Sequence, residues 1–438
     1  MMEGTLIRSF LRYVSMSIFS MLAISCYVLA DTYFIANGVG SLGLAALNIA
    51  IPAYMVISAC GMLLGMGAAT LFSIERGKNA SLKTLRSIFT TTLMLGVVVG
   101  VVLLLLSWSI PGYIARALGA TEQIYPYSVV YIRTVGTFAP AFVVSQIMVC
   151  FVRNDGQPNL AMGAMIVSSF SNIVLDYIFI YPLHMGMFGA ALATGISPVV
   201  SISISLCHCW KKENHLRLDR NGWSGKWIVP TVKAGTPHFI GELSSGLVIC
   251  LFNVVIGKIS GDVGIAAYGI IANVALVILA VFNGISQGVQ PLMGQSFGAD
   301  KKEHLQKLLY LSAGLALVLG GIFYTLCATQ AHGIVKLFNK EGLDTLAEIT
   351  VPGIRLYFSA FLFAGINLVS ATYFSVILRP KAAFLDAALR GFLLVVPLVV
   401  LFAVWFGMTG VWLSVPAAEL LTLLVVLLLY RRQRSGIH

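Results

Sequence analysis

Charged residues are scarce in this sequence: Asp, Glu, Lys and Arg make up 10% of its 438 residues, whereas 58% are hydrophobic. Soluble domains carry about 25% charged residues, so this chain could not clothe a water-exposed surface. Strand-like alternation is missing as well. Apolar runs such as GVVVGVVLLLLSWSI (96–110) are unbroken, which argues against a closed barrel and leaves helices as the means of satisfying the backbone in lipid. The seven cysteines are odd in number and all fall in apolar runs, so no disulfide framework is expected. Cys207 and Cys209 flank His208 but lack the second ligand pair of a metal site. Catalytic signatures are wanting too. There is no His-Glu-x-x-His and no Walker-type loop. Gly284-Ile-Ser-Gln-Gly288 and Gly38-Val-Gly-Ser-Leu-Gly43 match short motifs, but neither follows a strand. An enzyme is not expected.

What the chain has is apolar length. A run of about 20 residues crosses a hydrocarbon layer of about 30 Å as a helix. Such runs recur near 8–35, 43–74, 87–110, 126–151, 160–182, 187–210, 228–257, 264–290, 305–328, 352–378, 382–406 and 409–430. The net charge of +11 first suggests a nucleic-acid partner, but its placement speaks against one. With the amino terminus taken as cytoplasmic, 21 of the 28 Lys and Arg fall in cytoplasmic segments and four (Arg116, Lys258, Lys336 and Lys340) on the other side. That is the positive-inside bias. It predicts a multi-pass protein of a bacterial inner (plasma) membrane with both termini cytoplasmic, a bilayer as its surroundings and no nucleic acid. No cleavable signal peptide is expected, since the first apolar run continues into the membrane protein.

The chain also repeats itself. Gly43-Leu-Ala-Ala-Leu-Asn-Ile-Ala returns as Gly264-Ile-Ala-Ala-Tyr-Gly-Ile-Ile, and a shift of 221 superposes Gly67 on Gly288, Gly77 on Gly298, Gly186 on Gly407 and Gly189 on Gly410. At a shift of 222, Ile132-Arg133 meets Ile354-Arg355 and Pro158 meets Pro380. Six spans per copy give both copies the same orientation, so they relate by an axis along the membrane normal with a cavity between them. The expected architecture is all-α and integral to the membrane: twelve transmembrane helices in two six-helix lobes related by a pseudo-two-fold axis. The N-lobe covers 1–210, a basic cytoplasmic linker 211–227, and the C-lobe 228–438.

Ionisable groups at the centre of a span cost about 2.5–3.5 kcal/mol on insertion scales. Five acids stand within or at the edges of spans: Asp31, Asp176, Glu242, Asp386 and Glu419. Asp386 precedes Arg390 by four residues, the spacing of a structural ion pair. Glu419 follows Pro416 and could line the cavity or cap a kink. Glu242 follows Pro237 and suits either a structural niche or attraction of a cationic substrate. Asn172 and Asp176 share a helical face, a reasonable ligand set for Na⁺ or a proton acceptor. Neither Asp31 nor Asp176 is duplicated in the second half, where the matching positions are Phe252 and Pro397 or Leu398. Shared packing of the repeat therefore does not explain them. Arg133 and Arg355 do recur and are expected to brace the ends of spans four and ten.

Four stretches resemble the multidrug and toxic compound extrusion (MATE) transporters: Ala30-Asp-Thr-Tyr-Phe-Ile with Gly43-Leu-Ala-Ala-Leu-Asn; Asn172-Ile-Val-Leu-Asp176; Gly186-Met-Phe-Gly-Ala-Ala-Leu-Ala-Thr194; and Gly288-Val-Gln-Pro-Leu-Met-Gly-Gln-Ser-Phe-Gly298. The resemblance covers nearly the full length. It implies export of amphipathic, often cationic, small molecules from a V-shaped cavity in exchange for H⁺ or Na⁺, with no other cofactor and with the chain acting as a monomer. Carried over residue by residue, it implies an ion site at Asp31, Asn172, Asp176 and Thr194, where Na⁺ would bind, with Tyr131 beside it and Glu242 as a possible substrate contact. Ser15 and Met16 stand where family members often have a proline, so bending of span one is not implied. Span ten carries Asn367 and no acid, so coupling through the C-lobe is not implied either. A flippase for lipid-linked precursors is the alternative reading. The loop Glu75-Arg-Gly-Lys-Asn only weakly resembles the major-facilitator family.

Overall fold

The computed structural model describes residues 3–210, 214–338 and 344–435, and every regular element among them is a helix. Lys211, Lys212 and Lys340, counted above for charge, lie outside the described residues, as do the ends of the expected linker and C-lobe. Helices α1 (Glu3–Gly38), α2 (Ser41–Gly77) and α3 (Leu82–Ser109) cross in turn, followed by the short α4 (Pro111–Ala117). The fourth span is broken. Helices α5 (Tyr125–Thr137) and α6 (Ala139–Asn154) meet with a 50° bend, where Pro140 lacks the N–H that would continue the ladder. Helices α7 (Pro158–Ile180) and α8 (Gly186–Leu206) complete the first six.

After a 3-10 turn at Gly225–Trp227, the long α9 (Ile228–Gly298) holds two spans that reverse at Gly261 (φ 59, ψ −152), a conformation only glycine adopts readily. Then come α10 (Lys302–Thr329), the short α11 (Ala331–Phe338), and a tenth span made of α12 (Asp344–Tyr357) and α13 (Phe361–Val376) around a 3-10 turn at Phe358–Ala360. Helix α14 (Pro380–Ala388), a π turn at Leu389–Leu393 and α15 (Val395–Ser435) form the last two spans, divided at Gly407 (φ 57, ψ −136). Among the described residues the count is twelve transmembrane helices in two lobes. The runs near 126–151 and 382–406, expected as plain helices, are interrupted by the bend and the π turn.

Backbone geometry repeats with the sequence. Of the ten positive-φ residues among those described, eight come in pairs one repeat apart: Gly40 (φ 93) with Gly261 (φ 59), Asn79 (φ 56) with Asp300 (φ 54), Gly156 (φ 93) with Leu378 (φ 56), and Gly186 (φ 55) with Gly407 (φ 57). Turns, not only apolar runs, were duplicated. Each half buries its own core. One runs from Ile35 to Leu216; the other takes residues from Phe252 to Val426 together with Leu6, Phe10, Tyr13 and Val14 of α1. Residues such as Val98, Leu105, Val404 and Trp405 stay exposed on the outside, as a lipid-facing surface requires.

The halves meet along α1, α2 and α9 near the face that carries Arg12, Arg76, Lys78 and Lys301, hereafter the basic face. A Cβ at Gly67 of α2 would collide with the Thr231 carbonyl oxygen of α9, and its counterpart Gly288 would come 2.7 Å from Val14 Cα and 2.8 Å from the Tyr13 carbonyl oxygen. The duplicated glycines thus let the backbones of the two lobes touch, symmetrically, at the basic end of the seam.

The π turn corrects one expectation. Asp386 and Arg390 do not pair. The turn takes an extra residue per turn, so Arg390 leaves the face expected from α-helical spacing. It donates to Glu419 Oε1 from Nη2 at 2.8 Å and from Nε at 3.2 Å. Asn367 of α13 donates to Glu419 Oε2 at 2.7 Å and to the Glu419 carbonyl at 2.9 Å. Asp386 is fully buried with neither carboxyl oxygen hydrogen-bonded.

Candidate functional site

The five residues expected at the ion site converge from four helices. Asp31 comes from α1, Tyr131 from α5, Asn172 and Asp176 from α7, and Thr194 from α8. All are buried. The carboxyls of Asp31 and Asp176 lie within hydrogen-bonding reach of each other. With its amide nitrogen turned to the carboxylate, Asn172 donates to Asp176 Oδ2 at 3.2 Å, and its carbonyl oxygen accepts from the Thr194 backbone N–H at 3.3 Å. Asn172 therefore steadies Asp176 and ties α7 to α8. Tyr131 stands beside Thr194 and both acids. One oxygen each of Asp31, Asp176 and Thr194 is buried without a hydrogen-bond partner. Two facing carboxyls whose free oxygens lack donors form a site for a positive charge.

Glu242 lies apart from this cluster, on α9 at the seam, where it accepts from Ser58 Oγ of α2 at 2.9 Å. Tyr27 of α1 bridges the distance. Its hydroxyl shares a 3.3 Å hydrogen bond with Tyr54 of α2, and its charged neighbours are Asp31, Asp176 and Glu242. Sequence reading passed over Tyr27, although its place one turn before Asp31 was a usable signal.

A second polar cluster went unread at the basic face. Asp155, at the end of α6, accepts from His208 Nε2 (2.7 Å), from the His215 ring Nδ1 (2.6 Å) and from the His215 backbone N–H (3.0 Å), with Arg76 Nη1 at 3.6 Å. Asn214 donates to the carbonyls of His208 and Cys209. His208 thus turns toward a carboxylate and away from any metal role with its flanking cysteines. Burial by itself would raise the Asp155 carboxyl, but the hydrogen bonds from His208 and His215 and the charge of Arg76 outweigh it and hold the carboxyl below its ordinary value. A depressed carboxyl stabilises the fold above its unfolded value of about 3.9 and stops doing so as pH falls through the lower, folded value. The linker should therefore stay fastened at neutral pH and loosen only in acid. Asp155→Asn is expected to speed tryptic cleavage after the exposed Arg217 and Arg220 several-fold at neutral pH; an unchanged rate would show that the cluster does not hold the linker.

Comparison with known proteins places the whole chain in a family. The MatE family model matches residues 17–178 and 237–401, one block in each lobe. The multidrug export protein MepA of Staphylococcus saprophyticus is 25% identical over 423 residues, covering 95% of this chain and 91% of that protein. MepA of Staphylococcus aureus is 25% identical over 407 residues, covering 92% and 88%. Among solved structures, a MATE protein in complex with MaL6 superposes with a TM-score of 0.92 at 21% identity, covering 98% of this chain and 96% of that one. An outward-facing MATE family transporter of the MOP superfamily gives 0.91 at 21% identity with the same coverage. The chain belongs to the MatE family, the multidrug and toxic compound extrusion transporters, and is a multi-pass membrane transporter rather than an enzyme.

Proposed function

We propose that this protein is a secondary antiporter of the plasma membrane, exporting amphipathic, cationic small molecules in exchange for H⁺ or Na⁺ by alternating access of its two lobes. The observation that carries the reading is the facing pair Asp31 and Asp176, buried in one lobe only and braced by Asn172, Thr194 and Tyr131. Two carboxylates side by side repel unless a positive charge lies between them, so binding and release of one cation change the local charge and hence the packing of α1 on α7. Hard metal cations gather about six oxygens, whereas a proton shared by two facing carboxyls needs only one oxygen from each, so the pair favours a proton. Tyr27 and Tyr54 link this site to Glu242 at the seam, where a cationic cargo would find its counter-charge. The basic face is then cytoplasmic, with both termini there, and the contacts across the seam at that face close the cavity from the cytoplasm. One chain holds both lobes and works as a monomer. The export activity named in the MepA proteins supports the cargo class.

The test uses purified protein in liposomes and follows a fluorescent lipophilic cation under an imposed pH gradient or an imposed Na⁺ gradient. Uptake driven by the pH gradient alone is the expected result. Uptake driven only by Na⁺ would reassign the ion. If neither gradient moves the dye, the reading fails and lipid-linked precursors become the next cargo to assay.

A further inference from the structure

We propose that Arg153 is the latch of an inner gate at the basic end of the seam, and that its neutral partner, Gln287, is what allows the gate to open in each cycle. The proposal rests on the alternating-access reading above. Arg153 ends α6 in the N-lobe and is 2% exposed. Its Nη1 donates to Gln287 Oε1 of α9 at 2.9 Å and to the Gln287 carbonyl at 3.5 Å, and its Nη2 meets the sulfur of Met165 at 3.9 Å. Among the described residues it has no acid partner, whereas Arg390, 15% exposed in the C-lobe, is held by Glu419. A buried guanidinium without a counter-charge is costly. One kept at a moving seam calls for a reason.

The neighbouring residue continues the contact. Asn154 donates to Gln290 Oε1 at 3.0 Å, and Gln290 donates on to Thr70 Oγ1 of α2 at 3.0 Å. Arg76 of α2 secures the Asn154 carbonyl at 2.8 Å. Gln287 also reaches the Met21 sulfur of α1 at 3.6 Å. Two successive residues of α6 thereby join two glutamines of α9 across the lobes.

This polar row is not part of the repeat. At the register of the duplication, Gln287 corresponds to Met66, Gln290 to Ala69, Arg153 to Ser375 and Asn154 to Val376. Met66 and Ala69 sit in a small apolar cluster with Cys150. Three of the four counterparts are apolar and the fourth is a serine, so close packing of the lobes does not by itself demand the polar row. A hydrogen bond from a charged donor to a neutral amide is strong enough to favour the closed state and weak enough to break. A carboxylate at the same place would hold far harder in a dry seam.

Two substitutions of Gln287 should therefore act in opposite directions. The reporter is Ser73→Cys in a background with the seven native cysteines replaced. Ser73 is fully buried on α2 against Gly294 of α9, so a thiol there is reached only when the seam parts. The rate of N-ethylmaleimide labelling is measured on purified protein with no gradient and no cargo, so the result is independent of whether the antiport reading survives. Gln287→Leu and Arg153→Gln should each raise the rate by about tenfold, the scale of one charge-assisted hydrogen bond. Gln287→Glu should lower it and slow dye uptake in liposomes. A merely loosened protein would label faster in all three variants, and that result, or equal rates throughout, overturns the proposal.

Discussion

Asp176→Asn is expected to reduce gradient-driven efflux to the level of protein-free liposomes while leaving expression and unfolding temperature close to wild type. The substitution keeps the shape and the hydrogen-bonding reach of the side chain but removes the negative charge. Asn172 can still meet it, since an amide oxygen accepts as a carboxylate oxygen does. What is lost is the second half of a charge pair. With Asp31 as the only acid, the site holds a proton without conflict, and its release no longer sets two like charges against each other. A transporter that cannot be moved between states by ion binding gains nothing from the gradient. Asp31→Asn should behave alike, because the pair acts as a unit. Dye exchange down its own concentration gradient should survive in both variants. Coupled efflux retained in Asp176→Asn would sink the assignment of the site.

Arg390→Leu should destabilise the C-lobe by about 3–5 kcal/mol, the usual cost of removing one member of a buried ion pair. Its side chain is 15% exposed and that of Glu419 7%, so little solvent screens either. The loss leaves two buried acids, Glu419 and Asp386, with no cation nearby. Glu419→Gln should cost distinctly less, for a reason specific to this fold. Asp386 lies one turn from Arg390 with both carboxyl oxygens unpartnered, so the freed guanidinium has a second acid to turn to. Thermal unfolding of the two variants in detergent measures the difference. Equal losses would mean that the π turn prevents Arg390 from exchanging partners.

The buried cluster of Asp31, Asn172 and Asp176 was legible in outline because its members carried two independent signals. Asn172 and Asp176 announce a shared face by their spacing, and Asp31 and Asp176 announce a special role by their absence from the second repeat. Tyr131 and Thr194 came only through family resemblance, as nothing in their local sequence separates them from packing residues. The Asp386–Arg390 expectation failed where helical periodicity itself failed, at a π turn whose one glycine, Gly391, does not by itself distinguish it from an α-helix. Arg153 and Asp155 were passed over because they stand just beyond the apolar run ending near residue 151, where a charge needs no explanation until its burial is known.

Sequence alone determined the number of spans and the two-fold plan of the molecule. These follow from lipid as a solvent: each crossing must be a helix of sufficient apolar length, and the crossings recur one repeat apart. Only the tertiary structure decided which polar groups face one another. Asp31 meets Asp176, Arg390 meets Glu419, Asp155 meets His208 and His215, and Arg153 meets Gln287. These partners lie tens to more than a hundred residues apart in different segments of the chain, and the cost of burying them is met only when those segments pack, so no local pattern can foretell the pairing.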